Sequence, residues 1–148
     1  MTAGFEGKLR LALHVCRGNW SRDDSVALAG PYTPLVPLLA SLPVGVLLLE
    51  MATPRAGELE ALTAIPDNVK LGIGVVNQKL DRVEAVEEIV AKVEAAVGLF
   101  GVDRVRLNPD CGFATFADSP LAAAPVAEAK LAAIVLAAKQ VRARYGVG

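Results

Sequence analysis

Aromatic residues are scarce in this chain: one Trp, two Tyr and four Phe, 5% of 148 residues. A core with so few rings has to be assembled from Ala, Val and Leu, and hydrophobic residues do make up 53%. Histidine occurs once and cysteine twice, so any metal site draws on a very small stock. There is no basic block and the net charge is −1. Nucleic acid is therefore not expected as a partner, since it would need a clustered cationic face. No apolar run approaches the roughly 18 residues of a membrane span. The richest stretch, residues 44–49, is the size of a strand. The first residues lack the continuous apolar core of a secretory signal. A cytoplasmic protein with no membrane partner is the expectation, with 1–148 forming one domain large enough for a sizeable core. In that compartment thiols stay reduced. For Cys16 and Cys111, metal or catalytic use therefore ranks first, inert buried thiols second and a disulfide last.

What is present is a repeat of strand and helix. Residues 1–7 read as a lead-in. Residues 8–16 read as the first strand, 17–30 as a polar loop, and 31–42 as a short helix with Pro34 and Pro37 near its start, where proline is tolerated. Residues 44–49 form a second strand that stops at Glu50. Its continuous apolar character marks a sheet covered on both faces, usually a parallel one. A short helix is expected over 57–63 and a third strand over 70–76. Asp81 and Glu84 resemble a capping box opening a helix over 83–99. Its valines at 83, 86, 90, 93 and 97 lie on one stripe. A fourth strand is expected over 102–107 and a final helix over 125–145. Leu131, Ile134, Val135 and Ala138 would be its buried face. The strand ends follow one another at intervals close to the roughly 31 residues of a (β/α)8 barrel unit, and the chain holds about four such units. No strand is followed by Gly-x-Gly-x-x-Gly, so a dinucleotide fold has no support. Half of a barrel and a four-stranded open α/β sheet both fit.

Three strand ends carry a possible ligand. His14 and Cys16 alternate onto one face, Glu50 closes the second strand, and Cys111 follows the fourth. One N, one O and two S donors make a set that suits zinc. The ligands are scattered, unlike the close Cys-x-x-Cys pairs of structural zinc ribbons, which fits a catalytic site with an exchangeable position. Each residue taken alone has a plainer reading: a hydrogen-bonding His, a small buried Cys, a Glu opening a solvated loop, a Cys filling a turn. Their joint placement at successive strand ends favours the metal.

The stretches Leu13-His14-Val15-Cys16-Arg17-Gly18-Asn19 and Leu107-Asn108-Pro109-Asp110-Cys111-Gly112-Phe113 resemble the two metal-binding signatures of the cobalamin-independent methionine synthase family. The stretch from Leu71 to Asn77, followed by Val83 to Ile89, is similar to the strand and helix between them. The resemblance covers the last four β/α units of that family's catalytic barrel. It implies zinc held by His14, Cys16, Glu50 and Cys111, and transfer of a methyl or alkyl group to a small-molecule thiol such as homocysteine. Asp110, expected as a catalytic residue, and Asn108 would orient the ligands, and Arg17 and Asn19 would contact an anionic group of the substrate. The chain departs from the family pattern at the end of the third strand. There an Asp-x-His assists methyl transfer in true methionine synthases, and Val75-Val76-Asn77-Gln78 stands here. Asn77 is the residue expected in that catalytic place. The departure admits other donors and other thiols, coenzyme M among them, and also a non-catalytic zinc-binding fragment or a subunit of a split enzyme. A half-barrel exposes two sheet edges and an apolar inner face. A homo-oligomer, or a complementary chain carrying the N-terminal half, is expected to cover them.

Overall fold

The computed structural model describes residues 4, 8–54 and 59–147. Four parallel strands, β1 (Ala12–Val15), β2 (Val46–Leu49), β3 (Lys70–Val76) and β4 (Val105–Pro109), form one sheet in the order β1-β2-β3-β4. The register sets His14 opposite Leu48, Leu48 opposite Gly72, and Gly72 opposite Arg106. A 3-10 turn at Thr33–Leu35 runs into α1 (Val36–Ser41) between β1 and β2. A 3-10 helix at Leu59–Ala64 precedes β3, α2 (Val86–Phe100) joins β3 to β4, and α3 (Ala124–Tyr145) follows β4. These helices touch in sequence, α1 on the Leu59–Ala64 helix, that helix on α2, and α2 on α3. They form one layer on one face of the sheet. Doubly wound sheets carry helices on both faces. A sheet wound in one direction under a single helix layer is half of a (β/α)8 barrel.

Strand alternation explains the core. Leu47, Leu49, Leu71, Ile73 and Val75 face the helix layer and are at most 2% exposed. They belong to one apolar cluster with Ile89, Val93 and Ala96 of α2 and Ala137 of α3. On the other face His14 and Arg106 are exposed, and the two central positions of β3 are glycines. This inner face is more polar than the apolar surface the sequence suggested. Gly74 is required to be small: a Cβ there would lie 1.9 Å from Asp110 Oδ1 and 2.8 Å from the Leu49 carbonyl oxygen.

The structure corrects several expected elements. β1 and β4 are shorter than or displaced from their expected spans, because the flanking residues leave the ladder. α2 begins at Val86 and has only half of a box: the Ala85 N–H donates to the Glu88 carboxylate at 3.3 Å, and the alanine side chain has no acceptor to offer in return. Asp81 instead pairs with Arg22 at 2.8 Å. Glu84 turns inward, where its carboxylate takes Lys130 Nζ at 2.7 Å and the Asn77 N–H at 2.9 Å. Leu131 and Val135 are exposed, and α3 buries Lys130, Ala133, Ile134, Ala137 and Val141. The small Ala133 and Ala137 suit close contact with α2, and Lys130 is drawn down to Glu84. A hairpin of β5 (Ala114–Phe116) and β6 (Ser119–Pro120) follows the Cys111 turn; strands of this length carry no readable period. Residues 57 and 58 of the expected helix, and the lead-in apart from Gly4, lie outside the described residues.

Gly74→Ala is expected to destabilise the fold by at least about 1–3 kcal/mol, the scale of overpacking, read as a fall in thermal midpoint by circular dichroism. Gly98→Ala is the control. Gly98 lies in α2 with open space where a Cβ would go, so the change should stabilise by up to about 1 kcal/mol. Equal midpoints for the two variants would contradict the tight crossing at Gly74.

Candidate metal centre

The C-terminal ends of β1, β2 and β4 supply the cluster. His14 faces the inner side of β1 and Cys16 follows it just past the strand end. Gly18 then reverses the chain with φ of 130°, and the Trp20 ring packs where its Cβ would stand, at 2.7 Å. Glu50 is the residue after β2, and Cys111 lies two residues past the end of β4. One donor atom from each of His14, Cys16, Glu50 and Cys111 lies within 4.8 Å of the others. The Cys16 and Cys111 sulfurs are 3.7 Å apart, and His14 Nε2 is 3.4 Å from Cys111 Sγ. A tetrahedral ion about 2.3 Å from each sulfur and about 2.0 Å from an imidazole nitrogen separates them by about 3.8 Å and about 3.5 Å. The donor set therefore fits a four-coordinate ion of that size.

Its surroundings hold the imidazole and the carboxylate in place. His14 Nδ1 lies 3.1 Å from the Leu48 carbonyl oxygen. That oxygen can only accept, so the ring proton sits on Nδ1 and the Nε2 lone pair faces the sulfurs. This is the usual arrangement of a metal-binding imidazole. Glu50 is 2% exposed, and its Oε1 accepts the Arg17 N–H at 3.1 Å. Tyr32 brackets the same residue: its hydroxyl donates to the Glu50 carbonyl oxygen at 3.2 Å and accepts from the Glu50 N–H at 3.0 Å. Burial pushes the Cys111 thiol up to about 12, and the neighbouring Cys16 adds to the effect. A bound cation reverses that preference, because a coordinating thiol is deprotonated.

Other expected site residues lie beneath the cluster. Arg17 is 7% exposed, with its guanidinium 4.1 Å over the Tyr32 ring and donating to the Gly30 carbonyl. Asn19 donates to the Gly112 carbonyl oxygen at 2.9 Å. Both turn into the protein, where the sequence suggested contact with a substrate anion. Asp110 is 2% exposed, and its Oδ1 accepts the N–H groups of Met51 and Ala52, each at 2.8 Å. Burial raises its carboxyl to about 7 against the opposing pull of those two amides. The Asn77 side chain donates to Asp24 at 3.1 Å and accepts the Lys79 N–H at 2.9 Å. Asn108 Nδ2 donates to the Pro109 carbonyl oxygen at 2.7 Å. Sequence reasoning missed Tyr32, Gln78 and Thr115. The rarity of aromatics was the one available pointer to Tyr32; the other two carry no signal. Two clefts flank the cluster. One of about 260 Å³ is lined by His14, Leu48, Cys111 and Phe113. The other, about 300 Å³, is lined by Cys16, Leu28, Pro31 and Leu35.

Residues 4–140 match the family described as cobalamin-independent synthase, catalytic domain. The chain belongs to that family. Among its relatives is a 5-methyltetrahydropteroyltriglutamate–homocysteine methyltransferase of Acidithiobacillus ferrooxidans, 31% identical over 78% of this chain and 14% of the relative. The enzyme of the same name from Rhodococcus jostii is 29% identical over 96% of this chain and 16% of its own length. A methionine synthase of Pyrococcus horikoshii is 30% identical over 71% of this chain and 27% of the relative. A solved B12-independent methionine synthase from Shewanella sp. W3-18-1, in complex with selenomethionine, has the same fold. Its TM-score is 0.80 at 22% identity, covering 95% of this chain and 41% of that one. This synthase-family chain thus spans a minor part of the proteins it matches. Among the described residues no helix is long and apolar enough to cross a membrane.

The position of Asp110 makes stability depend on pH. Its folded pKa of about 7 lies above the ordinary 3.8, so the native state holds the proton more tightly. The stabilisation it contributes is present in full below about pH 4 and is lost as pH rises through 7. Denaturant unfolding of metal-free protein should show Asp110→Asn gaining on the parent between pH 4 and pH 8. A difference that stays constant across that range would contradict the raised value.

Proposed function

We propose that this chain is the metal-bearing half of an alkyl-transfer barrel. It holds zinc through His14, Cys16, Glu50 and Cys111 and moves a methyl or other alkyl group to the sulfur of a small thiol, homocysteine first. The observation that carries this reading is the 3.7 Å between the two cysteine sulfurs, with a carboxylate and an imidazole of fixed tautomer beside them. Family membership supports the reaction class. Zinc bound there supplies positive charge that lowers the pKa of an incoming thiol to the neutral range. The protein's own part is placement. Glu50, the single oxygen donor, is kept at the cluster by the Arg17 N–H and by Tyr32, and with zinc bound it would be the hardest of the four ligands. Asp110 ties the chain beyond Glu50 to the Cys111 turn, which fixes the separation of those two donors. The acceptor thiol would give up its proton to solvent, its sulfur would form the bond to the alkyl carbon, and the bond from that carbon to the donor would break with its electron pair leaving on the donor.

One observation favours a thiol or donor other than those of the synthases. Asn77 stands where the family pattern has the Asp-x-His, and its side chain is engaged by Asp24 and Lys79. β1 and β4 stand at the edges of the sheet, and a second half, another copy of this chain or a complementary N-terminal half-barrel in the same or another chain, would cover them. Asn77 and Arg17 then act as positioning residues for the loops of the rim.

Protein purified without added metal is expected to carry about one zinc per chain by atomic absorption, and Cys111→Ser less than about a tenth of that, since loss of a ligand breaks a four-ligand site. Homocysteine or coenzyme M should shift the absorption bands of the cobalt-substituted form, and the thiol that shifts them is the acceptor class. A parent that takes up no zinc on reconstitution, or a cobalt spectrum indifferent to both thiols, would refute the transferase reading. Sedimentation should give at least twice the monomer mass for the isolated chain, and a stable monomer would exclude self-closure.

A further inference from the structure

We infer that Asn19 and Gln78 form a relay that sets the metal geometry from the end of β3, the one strand of the parallel sheet that supplies no ligand. This rests on the metal reading above and adds two residues to it. Asn19 sits three residues past Cys16 and is 8% exposed, and Gln78 is 2% exposed. Asn19 Nδ2 donates to the carbonyl oxygen of Gly112, the residue after Cys111, at 2.9 Å. Asn19 Oδ1 accepts from Gln78 Nε2 at 2.6 Å. The Asn19 carbonyl oxygen also accepts the hydroxyl of Thr115 in β5.

The order of these bonds fixes every orientation in the chain. The Gly112 carbonyl can only accept, so Asn19 must present its nitrogen there. Its oxygen then faces Gln78, and Gln78 must present its own nitrogen. Gln78 Oε1 is left buried without a hydrogen bond among the described residues. The arrangement leaves an acceptor unmet so that the donor end can face Asn19. Both cysteine turns are therefore fastened to a single amide, and that amide is aimed from β3. A loop that moved Gln78 would move the Gly112 carbonyl, and with it Cys111 relative to Cys16. Asn19 and Gln78 are positioning residues: their hydrogen bonds run to each other, to Gly112 and to Thr115, and to none of the four donor atoms.

Zinc affinity and the cobalt spectrum test the relay in Asn19→Asp and Gln78→Glu. Each substitution keeps the side chain's shape and replaces one donor of the relay by an acceptor. Partners that orient ligands are typically worth about 10–100-fold in metal affinity. Each variant should therefore bind zinc, by chelator competition, at least about tenfold more weakly than the parent. The visible bands of its cobalt form should change in position or intensity. Gln78→Met, which leaves the Asn19 oxygen unmet, should change the spectrum in the same direction. A double variant at both positions should lose no more affinity than the worse single one. Parent-like affinity and spectra in Asn19→Asp and Gln78→Glu would overturn the relay while leaving the metal site standing. Absence of metal from the parent would overturn the metal reading instead. Should Asn19→Asp fail to fold, the Gln78 variants decide, and additive losses in the double variant would count against a shared chain of bonds.

Discussion

The carboxylate of Asp110 crosses a whole strand. It starts at the end of β4 and reaches the backbone N–H groups of Met51 and Ala52 beyond β2, passing over β3 at Gly74. In a flat sheet with strands about 4.8 Å apart, β1 and β4 would stand about 14 Å from one another. The sulfurs of Cys16 and Cys111 nevertheless lie 3.7 Å apart. The sheet must curl for this to occur, and a bare glycine at the centre with a carboxylate clamped across it holds the curl at the rim where the cluster sits. The geometry of the donors therefore depends on a contact that includes none of them.

Much of this could be read from residue order. Parallel pairing brings strand ends together whatever lies between them, so His14, Cys16, Glu50 and Cys111 could be grouped before any coordinate was known. The third strand was legible to the residue, because from Leu71 onward it carries only apolar residues and glycine, as a central strand does. The faces of the helices were less legible. In α3 a lysine lies inside and Leu131 outside, since a buried partner, Glu84, outweighs hydropathy at that turn. The capping residues of α2 were misplaced for the same reason: Glu84 has a better use than a helix end. Amide side chains such as Asn19 and Gln78 carry no pattern. Their value comes from which carbonyl each meets, and that is set by chain segments 93 and 59 residues away.

Two features of the cluster pull against each other. The thiol of Cys111 is driven toward its neutral form by burial and by the second sulfur, whereas the imidazole tautomer and the carboxylate are already arranged as donors. A site built this way is ready in shape and unready in charge. A cation taken up there would be held more tightly as pH rises, because each thiol must give up its proton to coordinate.

The donors come from one contiguous run of the chain, Cys111 being the last of them, and no other stretch is needed to complete the set of four. All four sit where parallel strands of one sheet end, so a slip of any one strand along its neighbour would change the spacing of the whole set. The register that sets His14 beside Leu48 and Leu48 beside Gly72 therefore doubles as the ruler of the cluster.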